Sequence, residues 1–327
     1  MMRQGIAVAG SILVDKIYEI STYPHEGELT QIRSIGYSVG GLVPNDAIDI
    51  KRARPDIPVL AIGTVGDDAE GEFVLSTLRQ NGVDTKGVAI KKGEKTSFTD
   101  VMSVSGGQRT FFTYPGASAS FGKDDIDFDA LSRSCKMLHL GYFLLLDKVD
   151  NGDGLEILKE AKSRGIMTSI DLVSENSDRY SAILPCLSYV DNLIVNELEA
   201  GRLCGMEPRV ENLPEIAKKL KELGVRERVI IHTPDLSVCC GGADMTVLPS
   251  YRLPEGHIKG TTGAGDAYCS GALIGIYEGK SDLEILKMAT VLAACSLGSA
   301  DATGGIDNYE QMESFCDKLM RKSVPTI

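Results

Sequence analysis

The stretch between residues 137 and 204 decides the fold. Met137-Leu-His-Leu140, Met167-Thr-Ser-Ile-Asp171 and Asn192-Leu-Ile-Val195 are short apolar runs with helix-patterned segments between them. The pattern predicts a helix over 154–163, a helical stretch after 171, and a helix over 197–204. Strands that alternate with helices imply parallel βαβ units. Strands this apolar imply a sheet covered by helices on both faces. Working outward, Gly5-Ile-Ala-Val-Ala-Gly10 reads as a buried first strand, and 43–54 as a helix with Pro44 near its start, where a missing N–H costs little. A strand over 57–62, a helix over 69–80 ended by Asn81-Gly82, and a strand begun by Arg228-Val-Ile-Ile231 continue the rhythm. Helices over 264–278, 282–297 and 309–318 fill the C-terminal third. The fold class is α/β: one domain over 1–327, three-layered, with a mostly parallel central sheet.

Two segments break the rhythm. Residues 14–39 place Ile17, Tyr18, Ile20, Leu29, Ile32 and Ile35 among turn residues without helical spacing. Residues 88–114 read as a hairpin: a strand over 96–104, a turn over 105–108, and a return strand begun by Arg109-Thr-Phe-Phe-Thr113. Together they are expected to form a small β-sheet over one end of the main domain.

Bulk properties narrow the function. The 327 residues carry a net charge of −12 without a basic cluster, which argues against nucleic-acid binding. No apolar run approaches the ~20 residues of a membrane span. The N-terminus runs directly into a strand and shows no signal-peptide pattern, so a cytoplasmic location is expected. The eight cysteines (Cys135, Cys186, Cys204, Cys239, Cys240, Cys269, Cys295 and Cys316) form no C-x-x-C pair and read as small buried hydrophobes. His25, His139, His232 and His257 are far apart and show no metal-ligand spacing.

The segment Gly260-Thr-Thr-Gly-Ala-Gly-Asp266 carries the chemistry. Its glycines permit close backbone approach to an anion. The helix that opens near Ala264 presents free N–H groups and the positive end of its dipole. Asp266, in the first turn, is placed to stay ionised and to act as a base beside a bound phosphoryl group. Taken alone, the segment also reads as a tight loop with a first-turn helix charge. Two other motifs fail. Gly263-Ala-Gly265-Asp-Ala-Tyr268 lacks the third glycine of a dinucleotide fingerprint. Gly279-Lys280-Ser281 follows Gly275 at the wrong spacing for a phosphate-binding P-loop, and reads as a helix stop followed by a Ser281 N-cap.

Five ordered blocks resemble the PfkB/ribokinase family of sugar and nucleoside kinases. They are Gly10-Ser-Ile-Leu-Val-Asp15, Gly40-Gly41-Leu-Val-Pro-Asn45-Asp-Ala47, Gly63-Thr-Val-Gly66-Asp67-Asp68-Ala-Glu-Gly71, Asn196-Glu-Leu-Glu199 and Thr261-Thr-Gly-Ala-Gly-Asp266-Ala-Tyr. The resemblance implies a ribokinase-like fold whose lid is the two strand-rich insertions. It implies ATP and Mg2+ as cofactors and a small sugar or nucleoside as substrate. Asp15, Gly40, Gly41 and Asn45 would bind substrate. Asn196, His232, Thr233, Thr262, Gly263 and Gly265 would bind the nucleotide, with Glu199 holding Mg2+ through water. Gly263, Ala264 and Gly265 would form an anion hole beside the base Asp266. Arg109 reads either as a substrate contact or as a solvated lid residue. His139, Tyr142 and Asp171 read either as site residues or as core and cap groups. Pairing of lid strands between subunits implies a homodimer.

The chain departs from the family pattern twice. Gly260 stands where the family has an Asp tied to a monovalent-cation site, which puts potassium activation in doubt. His232-Thr-Pro-Asp-Leu-Ser237 replaces a glycine-containing nucleotide loop, and Pro234 fixes φ and removes an N–H. These departures keep a second reading open, a degenerate kinase that binds sugar or nucleotide without turnover.

Overall fold

The computed structural model describes residues 3–104, 109–242 and 244–323. The strands are β1 (Gly5–Ala9), β2 (Leu13–Ile20), β3 (Ile32–Gly40), β4 (Val59–Gly66), β5 (Asp84–Lys91), β6 (Ser97–Val104) and β7 (Arg109–Tyr114). They continue with β8 (Cys135–Phe143), β9 (Met167–Leu172), β10 (Asn192–Asn196), β11 (Arg228–His232), β12 (Leu236–Cys240) and β13 (Met245–Pro249). The α-helices are α1 (Leu42–Ala53), α2 (Ala69–Gln80), α3 (Phe128–Ser134), α4 (Gly154–Ser163) and α5 (Glu197–Cys204). They end with α6 (Leu213–Glu222), α7 (Ala264–Tyr277), α8 (Asp282–Ser296) and α9 (Tyr309–Cys316).

The main sheet has the order β13-β12-β11-β10-β9-β8-β1-β4-β5. Every neighbouring pair from β11 to β5 is parallel, while β12 and β13 add an antiparallel edge. In β1, Ile6 and Val8 join a core with α1, α7 and α8, and Ala7 and Ala9 join a second core with α4 and α6. That alternation is the three-layer architecture seen from one strand. From β1 the chain builds outward through β4 and β5 on one side and through β8 to β11 on the other. The switch between β1 and β8 opens the crevice where α/β sheets bind ligands.

The lid is a four-stranded sheet, β3-β2-β6-β7. Ile32, Ile35, Tyr37, Phe111, Phe112 and Tyr114 are large exposed apolar side chains on its strands. The insertion expected over 88–114 begins later than the sequence pattern suggests. Residues 84–91 are β5, parallel to β4 with Val88 opposite Gly63, because Val88 packs against the main core. The expected turn over 105–108 lies outside the described residues. The helical stretch expected after 171 is a 3-10 helix, Arg179–Tyr189, with Pro185 inside it; proline disrupts the α-helical hydrogen-bond ladder there. Helix starts follow their caps. Asp68 accepts from the Gly71 N–H, and Ser281 forms a capping box with Glu284, as expected.

Candidate active site

The turn before α7 has the shape the glycines predict. Gly263 is the N-cap, with φ 75°, and a Cβ there would lie 2.6 Å from that of Ala302. No L-residue fits such a place without strain. Gly265 has open space where a side chain would project. The Ala264 N–H donates to the Thr261 carbonyl at 3.3 Å, so the open approach is at Gly265, where helix geometry leaves the N–H without an intrahelical acceptor. Thr262, next to this turn, accepts a hydrogen bond from Arg109 Nη1 at 2.8 Å. The lid strand β7 is thus tied directly to the loop that precedes α7.

Asp266 is buried in the first turn of α7. Asn45 Nδ2 donates to its Oδ2 at 2.7 Å, and the Tyr142 hydroxyl lies 2.9 and 3.0 Å from its two oxygens. Burial pushes the Asp266 carboxyl above its ordinary pKa, while the hydrogen bonds from Asn45 and Tyr142 oppose that rise. The sequence reading expected an ionised first-turn acid; desolvation adds a stronger base than a helix terminus alone would make.

Tyr142 reaches Asp266 because β8 is irregular at its end. The register with β9 shifts between Leu140 and Phe143, and Tyr142 adopts φ 59°. Such bulges re-aim side chains near functional sites. Gly141 makes the bulge possible, since a Cβ there would collide with Leu42 and with Asp171 Oδ1. Asp171 accepts from the Tyr142 N–H at 2.7 Å. Tyr142 and Asp171, left between two readings in the sequence, lie beside Asp266, and His139 is buried beneath them.

The two glycines at 40 and 41 are spacers. A Cβ on Gly40 would sit 2.3 Å from Asp15 Oδ2, and one on Gly41, with φ 83°, would sit 2.8 Å from the Ser11 carbonyl. Their absence lets Asp15 and the start of α1 close on each other. Asp15 is pushed up to about 6 by burial and by the nearby Asp266.

Asn196 caps α5, and Glu199 completes the capping box by accepting from the Asn196 N–H at 3.0 Å. Glu199 also accepts from the Ser174 hydroxyl at 2.8 Å, and burial pushes its carboxyl up to about 7. A cavity of about 290 Å³ collects Asp171, Asn196, Glu199, Gly263, Gly265 and Asp266. A second cavity, about 730 Å³, lies across the same turn and is lined by Leu198, Tyr251, Leu253, Ile258, Ala293 and Leu297, among others. His232 borders both cavities and stacks on Tyr268 with ring centroids 4.5 Å apart.

The two departures have clear shapes. A Cβ on Gly260 would meet the Ser299 carbonyl at 3.0 Å and Ala300 at 3.1 Å. The backbone of 299–300 packs tightly against this position, so a side chain there would require a shift of a few tenths of an ångström. Thr233 to Leu236 form a tight turn between β11 and β12, with the Thr233 N–H donating to the Leu236 carbonyl at 2.8 Å. The Thr233 hydroxyl accepts from the Asp235 and Leu236 N–H groups. Lys322 closes the turn by donating to the Pro234 carbonyl and Asp235 Oδ1. The apolar wall of the larger cavity and Lys322 were missed in the sequence, because they come from scattered positions without a motif.

No helix among the described residues is long and apolar enough to cross a membrane. The chain matches the model of the pfkB family of carbohydrate kinases over residues 3–308. It is 26% identical to a ribokinase of Arabidopsis thaliana over 98% of this chain and 82% of that one. It is 27% identical to an adenosine kinase of Schizophyllum commune over 83% of this chain and 82% of that one. Among solved structures, Arabidopsis thaliana ribokinase complexed with ribose and ATP superposes with a TM-score of 0.82 at 24% identity, covering 96% of this chain and 99% of that one. Ribokinase from Thermotoga maritima superposes at 0.79 with 23% identity, covering 96% of this chain and 99% of that one. These structural likenesses establish the ribokinase-like fold.

Proposed function

Because the chain belongs to the pfkB family of carbohydrate kinases, we propose that it transfers the γ-phosphoryl group of ATP to a primary hydroxyl of a small sugar. The observation that carries this reading is Asp266, buried and held by Asn45 and Tyr142 at the start of α7 beside the open Gly265 turn. A base must be ionised, desolvated and fixed next to the phosphoryl acceptor. Asp266 takes the hydroxyl proton as the substrate oxygen bonds to the γ-phosphorus. The bond between that phosphorus and the β–γ bridging oxygen breaks, and ADP leaves. N–H groups over 263–265 neutralise charge on the transferring oxygens.

Asp15, Asn45, Arg109 and the backbone at Gly40 and Gly41 are read as the sugar contacts. Arg109, bonded to Thr262, closes the lid onto the transferring group and keeps water out. Asn196, Thr233, Thr262 and His232 are read as nucleotide contacts. The larger, mostly apolar cavity suits a base and ribose. Both Glu199 oxygens already accept protein hydrogen bonds and still line the smaller cavity. That fits an outer contact to a hydrated Mg2+, which when bound supplies positive charge to the phosphates.

A nucleoside kinase on the same scaffold is the second reading, favoured by the similarity to the adenosine kinase of Schizophyllum commune. Release of ADP from Mg-ATP is measured against a panel of furanoses, polyols and nucleosides. The sugar reading expects one sugar to stimulate release above all nucleosides. A nucleoside as best acceptor establishes the second reading. Ligands that raise the melting temperature without any turnover would instead identify a degenerate kinase.

A further inference from the structure

Beneath the base, the structure brings together donors that sequence spacing did not connect. His139 Nε2 lies 3.5 Å from Cys269 Sγ and 3.7 Å from Asp46 Oδ2, and all three side chains are buried. The three donor atoms lie within 4.8 Å of one another, the only such group of three or more among the described residues. Separations near 3.5 Å are the edges expected when donors surround one ion at about 2.0–2.3 Å. Asp46 is fully buried, and neither of its carboxylate oxygens has a hydrogen-bond partner among the described residues. A buried, unpartnered carboxylate is costly unless it takes up a proton or a cation compensates it.

We propose that His139, Cys269 and Asp46 hold a zinc ion in the core beneath Asp266. The mixed imidazole, thiolate and carboxylate set selects zinc over the hard ions magnesium and calcium. A thiolate and a carboxylate cancel the two charges of the ion, so the group is neutral as a unit. Binding releases the Cys269 proton to solvent as the ion enters during folding. The outer contact of the imidazole is in place, because His139 Nδ1 lies 2.9 Å from Ser169 Oγ, and such partners orient metal-bound histidines. Asp171 Oδ1 lies 4.0 Å from His139 Nε2.

The placement gives the ion a positioning role. Asp46 follows Asn45 in α1, His139 precedes Tyr142 in β8, and Cys269 lies one turn beyond Asp266 in α7. Each donor is tied to one member of the Asn45–Tyr142–Asp266 group. A single ion would therefore lock three separate elements in the arrangement that holds the base. This inference does not rest on the phosphoryl-transfer reading, and its readout is metal content.

The test is elemental analysis of the purified full chain after gel filtration in chelator, alongside Cys269→Ser and His139→Gln. The expected result is about one zinc per chain in the native protein and loss of zinc in both variants. Native protein that is zinc-free, and stays so after refolding with zinc, overturns the proposal. So does zinc retained undiminished in both variants. Should either variant fail to fold, native protein refolded with cobalt decides: a thiolate-to-cobalt charge-transfer band supports the site, and its absence refutes it.

Discussion

The two cavities flanking the 263–265 turn share a wall and differ in nearly everything else. The smaller, about 290 Å³, is rimmed by Asp171, Glu199 and Asp266, whose carboxyls are all pushed up chiefly by burial. Its groups are fixed by short hydrogen bonds, such as Asn45 to Asp266 and the Tyr142 N–H to Asp171. The larger, about 730 Å³, is mainly apolar, with polar groups such as Glu197, Arg252, the hairpin turn and Lys322 spread around its lining. The difference separates two tasks. Chemistry needs a few groups held within tenths of an ångström. Holding a planar base needs apolar area and tolerates variation in its walls. The unusual Thr233–Leu236 turn falls in the tolerant cavity, while the Asn45–Tyr142–Asp266 group is intact in the demanding one.

Substitutions should therefore separate turnover from binding. Tyr142→Phe removes one donor to the base, and a hydrogen bond to a charged group is worth ~1.5–3 kcal/mol. It should lower kcat roughly tenfold or more with little change in nucleotide KM. It should also shift the acid limb of the pH–rate profile. As the proposed base, Asp266 would work ionised, so the rate should fall as pH drops through its pKa. The Tyr142 hydrogen bond lowers that pKa, so its loss should move the limb to higher pH. A limb that stays put would separate Tyr142 from the base.

In the larger cavity, Lys322→Ala frees the hairpin turn from the C-terminal segment. It should raise the KM for ATP by roughly three- to tenfold and leave kcat near native. A loss confined to kcat would undo the division between the cavities. The smallest effect belongs to the monovalent cation. With no carboxylate at position 260 and the 299–300 backbone packed against it, replacing sodium by potassium should change the rate by less than about twofold. Each factor of ten is about 1.4 kcal/mol, so the expected change is well below that. Strong potassium activation would show that another route to the cation exists.

Legibility in the sequence follows the same division. The parallel core was readable because β1 and β8 to β11 are continuous apolar runs separated by helices. Asp266, Asn45 and Glu199 sit in compact motifs, which is why they stand out as candidates before the fold is known. Tyr142 was left undecided because its role depends on a bulge after Leu140 and a positive φ, which no periodicity reveals. Residues 88–91 were assigned to the lid because an edge strand of the main sheet and a lid strand share one alternating pattern. The larger cavity draws its apolar wall from α5, the segment after β13, α7 and α8, each contributing one to three apolar residues. Nothing in such residues distinguishes a pocket wall from core. The histidines and cysteines showed no ligand spacing, because Asp46, His139 and Cys269 meet only through the tertiary fold.

The central claim is that Asp266 is the base. It is tested most directly by Asp266→Asn, which nearly preserves shape and lets Tyr142 still donate to the side chain. Steady-state turnover is measured beside calorimetric binding of ATP and of the best acceptor from the panel. The expected result is a fall in kcat of roughly 10²–10⁴-fold, with both dissociation constants within about threefold of native. A variant that binds both ligands and turns over within about tenfold of the native rate, well above the range expected for loss of a general base, would contradict the assignment.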